Sequence, residues 1–409
     1  MDYQLLSSLF YKNQEQFKDV YEYRIKSPYT CQLPLSIKNN PSFVCVTPEI
    51  TSKIEKIFIL SNQLDDKLQQ LPTVSNQKYF LDCLVEEIVL TNNIEGVHST
   101  RKEVEDIIED LPNDKMKRFK GLVQKYYHLI NSADNKISLN SCKDIRELYN
   151  EMVFEEIDEQ DKPDGDFFRK GPVSVMSSTQ KEKHKGIAPP EKNVVSAMDK
   201  ALSLLSLETV PTLIKIAVLH YYIGYIHPFY DGNGRLSRFI SSYLISQILN
   251  PLIGLRLSYI IKNRIGEYYK AFEISNNPKN KGDLTYFVFT FLDFIQSTII
   301  DMIEKVETGL QKLEHYEELI ENKQICLKNN KFYQNLIYIL VQINLFSEST
   351  VDIKTLSKIL ECSATTTSKA INKLIENGYP ISISKEGRKN IYTIDLDQLD
   401  DVLENKNKG

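Results

Sequence analysis

Apolar side chains along this chain recur mainly at three- and four-residue spacing, the signature of helices with one buried face. Between Tyr79 and Glu95 the positions Phe80, Leu84 and Ile88, with Leu81 and Val85 beside them, share one side of a predicted helix, and Gly96 follows as a C-terminal stop. Leu236, Phe239, Ile240, Tyr243, Leu244 and Ile248 predict a second helix running to Pro251. Pro211 to Gly224 reads as an apolar helix that delivers the chain straight to His227. Helix starts are written too: Thr47-Pro48-Glu49 joins an N-cap, a first-turn proline and an acid, opening a helix toward Leu71, while Thr100 and Glu103 make a capping-box pair. From about Leu284 to Asn322 the pattern grows more charged, which predicts an exposed connector, and Lys323 to Lys331 marks a boundary.

The chain is expected to start extended, through Pro41, and further extended runs fall in two places. Arg169 to Pro190 contains Pro172-Val173-Ser174-Val175-Met176, a polar tip from Ser177 to Lys183, and His184-Lys185-Gly186-Ile187, together a β-hairpin whose free edge can take up a peptide by strand addition. Beyond residue 331 an apolar helix (Phe332 to Phe346) precedes Ile353 to Leu360, a tight turn at Glu361-Cys362-Ser363, and Ala364 to Asn377, which Gly378 stops. Ile381-Ser382-Ile383 and Asn390 to Ile394 then alternate like two strands around Lys385 to Lys389. Residues 331–397 thus resemble a winged helix, and the resemblance implies that Thr365, Thr366, Thr367, Ser368, Lys369, Asn372 and Lys373 reach a partner, DNA or protein.

Composition narrows the class. The 409 residues, 42% hydrophobic with net charge −5, describe two or three folded domains and lack the basic excess of an autonomous DNA binder. Six scattered cysteines without a Cys-x-x-Cys pair, and the lack of His-Glu-x-x-His, argue against a disulfide framework or a zinc site. Met1 to Val20 holds no charged-then-apolar leader, and no uninterrupted apolar run of about 18 residues occurs, so the expectation is a cytoplasmic protein without a membrane span.

The chemistry concentrates in His227-Pro228-Phe229-Tyr230-Asp231-Gly232-Asn233-Gly234-Arg235-Leu236-Ser237-Arg238. Gly232 and Gly234 let backbone N–H groups approach an anion closely, at a helix start where free N–H groups and the macrodipole favour negative charge. Arg235 and Arg238, on one face, can clamp phosphate oxygens. Asp231 beside a polyphosphate makes sense as a ligand of Mg²⁺, and the imidazole of His227 suits proton removal from a hydroxyl at neutral pH.

This stretch resembles the motif of the Fic family of nucleotidyl transferases, matching its pattern without a gap. The resemblance implies ATP as substrate, His227 as catalytic base, Asp231 on Mg²⁺, Asn233 with Gly232 and Gly234 on phosphates, Arg235 and Arg238 on the outer phosphates, and attack at the α-phosphate. Thr91-Asn92-Asn93-Ile94-Glu95-Gly96 is similar to the family's inhibitory motif, which implies that Glu95 pairs with Arg238 and holds the resting enzyme inactive. The hairpin, with Val175 beside the nucleotide, resembles the flap that lines up the target chain, although its tip is longer than such a flap requires. Asn263 to Tyr269 and Ser275-Asn276 resemble the adenine pocket, which assigns Tyr268 and Asn276 to nucleotide binding.

The expected fold is therefore mainly α: an N-terminal helical region (1–75), a Fic core with its inhibitory helix and a small β-hairpin flap (76–300), a helical connector (301–330), a winged helix (331–397) and a tail (398–409). The expected function is transfer of AMP from ATP to Ser, Thr or Tyr hydroxyls of a target protein bound along the flap, with self-modification and a homodimer both left open. Three alternatives stay open: a winged-helix DNA-binding regulator with a secondary Fic module, transfer of a different group, and removal of AMP by the same site. Gly234 favours AMP, since related kinases carry lysine there, and Glu95 is the group that could position water for removal.

Overall fold

A computed structural model describes residues 3–111, 117–131, 136–176, 182–321, 331–348, 350–386 and 389–405. The chain divides into two units, residues 1–62 with 84–300 and residues 63–83 with 301–409. The expected N-terminal region 1–75 is therefore not a unit of its own.

In the first unit, the start expected to be extended is instead helical, because α1 (Leu6–Lys12) and α2 (Gln14–Lys26) can bury Leu6, Leu9 and Phe17 against Phe43. Phe43 lies on β2 (Phe43–Cys45), which pairs antiparallel with β1 (Thr30–Gln32). Then come α3 (Pro48–Leu68), α4 (Thr73–Ile94), α5 (Arg101–Asp110), α6 (Lys120–Asn131) and α7 (Cys142–Met152). The proline-opened α3 stops at Leu68, a few residues short of Leu71, and Thr100 does accept the Glu103 N–H at the start of α5. The hairpin is present as β3 (Ser174–Met176) against β4 (Glu182–Lys185), antiparallel, with an irregularity between Val175 and Met176. Residues 177–181 of its expected tip lie outside the described residues.

After α8 (Glu191–Ser203) the chain enters α9 (Thr212–Ile226), which is apolar nearly all round, as a helix at the centre of a core must be. It packs on α10 (Asn233–Ser246), where Leu236, Phe239, Ile240 and Tyr243 are buried as their spacing predicts. The short α11 (Pro251–Gly254) and α12 (Leu257–Asn263) lead to α13 (Ile265–Asn276). Next, α14 (Thr285–Glu321) is one unbroken helix, so the expected connector from 301 is the continuation of a core helix. Part of α14 is apolar and long enough to cross a membrane by length and composition, and Phe287, Phe291, Leu292, Ile295 and Ile299 are buried in the protein as those of a core helix are.

The second unit adds α15 (Lys331–Phe346), β5 (Val351–Asp352), α16 (Ile353–Ile359), α17 (Ala364–Glu376), β6 (Ile381–Glu386), β7 (Lys389–Ile394) and α18 (Leu396–Asn405). Its sheet is antiparallel in the order β5-β7-β6. Asp352 and Ser363 cap α16 and α17, and Gly378, in the left-handed region at φ 83°, ends α17 as expected. Thr367, expected to reach a partner, is instead buried and bonded to Ser357 and Cys362, so it joins α17 to α16. The segment expected as a tail from 398 is helical through Asn405. Residues 322–330, the expected boundary, lie outside the described residues.

Candidate active site

The loop from His227 to Gly232 joins the buried helices α9 and α10, and its shape follows from local bonds. His227 takes a left-handed conformation (φ 52°) that ends α9, and Gly232 takes another (φ 80°) that opens α10. Asn233, expected on the phosphates, uses its side chain to close the loop: Oδ1 accepts from Phe229 N at 3.0 Å and Nδ2 donates to Phe229 O at 2.8 Å. From below, α7 supplies a platform. The Tyr149 ring stacks on Phe229 at 3.7 Å, its hydroxyl donates to the Asp231 carbonyl, and a side chain at Gly232 would press on Tyr149 and Val153 at 3.1 Å. Glycine at 232 thus answers both the backbone angle and the close approach.

Besides Asn233, four side chains of this loop and of α10 were expected to act on nucleotide, and the structure separates them. His227 is largely enclosed, and removal from water pushes its pKa down to about 4, against an opposing pull from Glu95. Its ring is therefore neutral at pH 7, as a proton acceptor must be. Asp231 is exposed, with Oδ1 accepting from Gly232 N at 2.6 Å. Among the described residues no group of three or more His, Cys, Asp or Glu could hold a metal ion. A single exposed carboxylate suits Mg²⁺, which commonly takes one or two carboxylates and completes its shell with phosphate and water oxygens.

Arg235, expected on the outer phosphates, is 1% exposed at its side chain and paired with Glu156, on the turn that follows α7. Burial pushes the Glu156 carboxyl up to about 7 while Arg235 pulls it back. Glu156 was not expected from the sequence, because an acid 79 residues away leaves no local pattern.

Arg238 meets the residues expected of it. Nη2 lies 2.8 Å from Glu95 Oε1, Nε donates to Thr91 Oγ1 at 2.8 Å, and Nη2 also donates to the Thr91 carbonyl at 2.9 Å. The guanidinium thereby closes the C-terminal turn of α4. The Glu95 carboxylate also lies directly over the cradle: a Cβ at Gly234 would fall 2.0 Å from Oε1. Glu95 keeps 26% of its side chain exposed while Arg238 keeps 1%, so the acid is the member of the pair that can leave.

Tyr268, expected at the base of the nucleotide, is buried. Its hydroxyl lies 2.9 Å from His220 Nε2, His220 Nδ1 lies 2.9 Å from Ser241 Oγ, and Ser241 donates to the Ser237 carbonyl. Because Ser241 spends its proton there, the network assigns the His220 proton to Nδ1 and leaves Nε2 to accept from tyrosine. Burial pushes the His220 pKa down to about 3, so it stays neutral beneath Arg238. The neighbouring Tyr269 is 40% exposed against 6% for Tyr268, so it is the more accessible tyrosine of the pair. Asn276 accepts from the Tyr221 hydroxyl at 2.7 Å, and Val175 lies on β3 opposite His184.

Residues 139–245 match the Fic/DOC family. The protein adenylyltransferases Fic of Drosophila erecta and Drosophila melanogaster are each 28% identical over 181 residues, which is 44% of this chain and 32% of theirs. The matched stretch thus spans about a third of those relatives. A Fic family protein from Desulfovibrio desulfuricans G20, of known structure, aligns over 89% of this chain and 98% of its own at 17% identity and a TM-score of 0.48. The segment that matches the Fic/DOC family, residues 139–245, holds the whole stretch from His227 to Arg238.

Proposed function

We propose that this protein transfers AMP from ATP to a Ser, Thr or Tyr hydroxyl of a protein, and that Glu95 restrains it at rest. The placement of Glu95 on Arg238 and over Gly234 carries this reading, because an acid seated in an anion cradle occupies the position of the ligand it excludes. In the active form the N–H groups at the start of α10 receive phosphate oxygens, and Arg238, once free, receives the outermost phosphate. Asp231 would hold Mg²⁺, which when bound neutralises phosphate charge as it shifts to the leaving group. The target oxygen attacks the α-phosphorus, its proton passes to His227, the bond to the bridging oxygen breaks and pyrophosphate departs. Arg235 remains on Glu156 and shapes the first turn of α10. The β3–β4 ribbon pairs with no further strand among the described residues, which supports strand addition by the target.

ATP labelled at the α-phosphate tests the proposal. Glu95→Gly should raise incorporation into cell protein and into the enzyme itself by tenfold or more, since it removes a charge-assisted pair worth roughly 1.5–3 kcal/mol. Adding His227→Ala should abolish the label. A Glu95→Gly protein that labels nothing, in lysate or on itself, would refute the reading.

For residues 331–397 the helix order and the β5-β7-β6 sheet support a winged helix, with Thr365, Thr366, Lys369, Asn372 and Lys373 exposed along α17. We infer that this face docks a partner, either duplex DNA or a protein. A mobility shift should persist at moderate salt and weaken in Lys369→Ala/Lys373→Ala, whereas no shift at low salt leaves a protein as the partner.

A further inference from the structure

Arg169 lies just before the flap, is fully buried, and forms no ion pair among the described residues. Its guanidinium goes to carbonyls. Nε donates to His227 O at 2.7 Å, Nη2 to Ile226 O at 3.3 Å and to Ile187 O at 2.8 Å, and Nη1 to Gly171 O at 2.6 Å. Two of these acceptors close α9 at the catalytic histidine, and the other two flank the β3–β4 ribbon. The same end of α9 receives further donors from the flap segment: His184 Nε2 reaches Tyr225 O at 2.7 Å, Ile187 N reaches Ile226 O at 3.0 Å, and Arg169 N reaches Pro228 O at 3.1 Å. A helix leaves its last carbonyls without partners, and here the flap supplies them. Gly186 permits the approach, since a Cβ there would sit 2.7 Å from Arg169 Nη2 and 3.0 Å from the Ile226 oxygen.

We propose that Arg169 is a positioning residue for His227, holding the base in its left-handed turn and joining that turn to the flap on which the target hydroxyl would be presented. This inference rests on the transfer reading above. A lysine could not replace the guanidinium, because only the planar fork reaches acceptors in several directions at once. The charge has a use as well. A buried cation without an acid partner is costly, and beside the imidazole it disfavours a second positive charge. The groups facing the His227 ring are Glu95 from α4, which favours its protonation, and Arg169 and His184 from the flap, which oppose it.

The test uses the full chain in the Glu95→Gly background, with Arg169→Lys and Arg169→Gln. Label incorporation should fall about 100-fold in both, the scale of a misplaced catalytic group, while affinity for Mg-ATP stays within about threefold of the parent. The His227 ring proton resonance, identified by its loss in His227→Gln, should titrate higher in Arg169→Gln, toward the ordinary histidine value of about 6.5, and stay low in Arg169→Lys. That split between geometry and charge would not arise from a residue that merely supports the fold. Incorporation within threefold of the parent, or a loss of Mg-ATP affinity parallel to the loss of rate, overturns the proposal. Should the Glu95→Gly parent label nothing, the transfer reading fails, and an unmoved His227 titration in Arg169→Gln then separately overturns the positioning role.

Discussion

Gly234 leaves no room for a side chain while Glu95 is seated, yet the obstruction is the far end of a flexible carboxylate, so an added methyl displaces the acid and not the backbone. Gly234→Ala should therefore make the Glu95→Gly substitution nearly redundant. In a double-mutant cycle read by AMP incorporation, Glu95→Gly should stimulate the parent strongly and the Gly234→Ala protein less than threefold, which isolates the coupling from any harm the methyl does to ATP binding. Equal stimulation in both backgrounds would place Glu95 away from the cradle. His227 gives a second expectation at this scale. Burial lowers its pKa to about 4 and Glu95 raises it, so in Glu95→Gly the value falls further. The acid limb of the rate profile should thus lie near or below pH 4, leaving about nine-tenths of the imidazole unprotonated at pH 5, where an unperturbed histidine near 6.5 would be almost wholly charged. A midpoint at 6 to 7 would contradict a buried neutral base. The glycines, His227 and Arg238 were legible because backbone geometry and anion chemistry dictate residue types within one short loop. Arg169 and Glu156 were not, since the His227 carbonyl that Arg169 meets and the arginine that Glu156 meets lie 58 and 79 positions away.

Helix α4 leads to Glu95, the proposed restraint, and it is fastened well before that residue. Glu86 pairs with Arg256, Asn93 accepts from Lys262, and the buried Glu87 accepts from Ser258 N at 2.7 Å, Ser258 Oγ at 2.6 Å and Tyr126 Oη at 3.3 Å. Burial pushes the Glu87 carboxyl up to about 7, and those donors pull it back. Glu87→Ala would strand the buried donors of Ser258 and Tyr126, at roughly 1–3 kcal/mol for each unsatisfied group, and release α4 two turns before its end. Thermal unfolding should move down by several degrees, and basal AMP incorporation with Glu95 intact should rise. A lowered melting point without added incorporation would show that the hold on Glu95 is local to Thr91 and Arg238. The pattern Phe80, Leu84, Ile88 correctly marked a helix here, and it could not mark Glu87, since an acid on the apolar side reads as an interruption until its donors are visible. Periodicity also found α9, α10 and the hairpin. It took α14 for a connector because charge increases along a helix that continues into a second core.

At the scale of the molecule, α3, α4 and α14 each lend residues to both units, a division that hydrophobic spacing cannot show because one helical pattern serves two cores. The boundary expected near residue 330 therefore cuts through a core. Within the second unit, Ser75 bonds Gln342, the buried Asp82 accepts from Glu348 N at 3.0 Å and pairs with Lys305, Tyr316 donates to Leu396 O, and the ring of Phe346 lies against Gly309 so closely that a Cβ there would fall 2.4 Å away. A fragment of residues 331–409 keeps α15 to α18 and the sheet but loses the side chains of Leu64, Leu68, Tyr79, Leu313 and Tyr316 that are buried in the intact chain. At about 1.5–3 kcal/mol for each buried apolar side chain, losing even a few removes most of the 5–15 kcal/mol typical of a domain. Circular dichroism of that fragment should show partial helix and a broad, early melt, whereas residues 301–409 joined by a short linker to 63–83 should melt cooperatively. A sharp transition at high temperature for 331–409 alone would mean that its own sheet and helices suffice, and that α3, α4 and α14 lean on this unit without being needed by it.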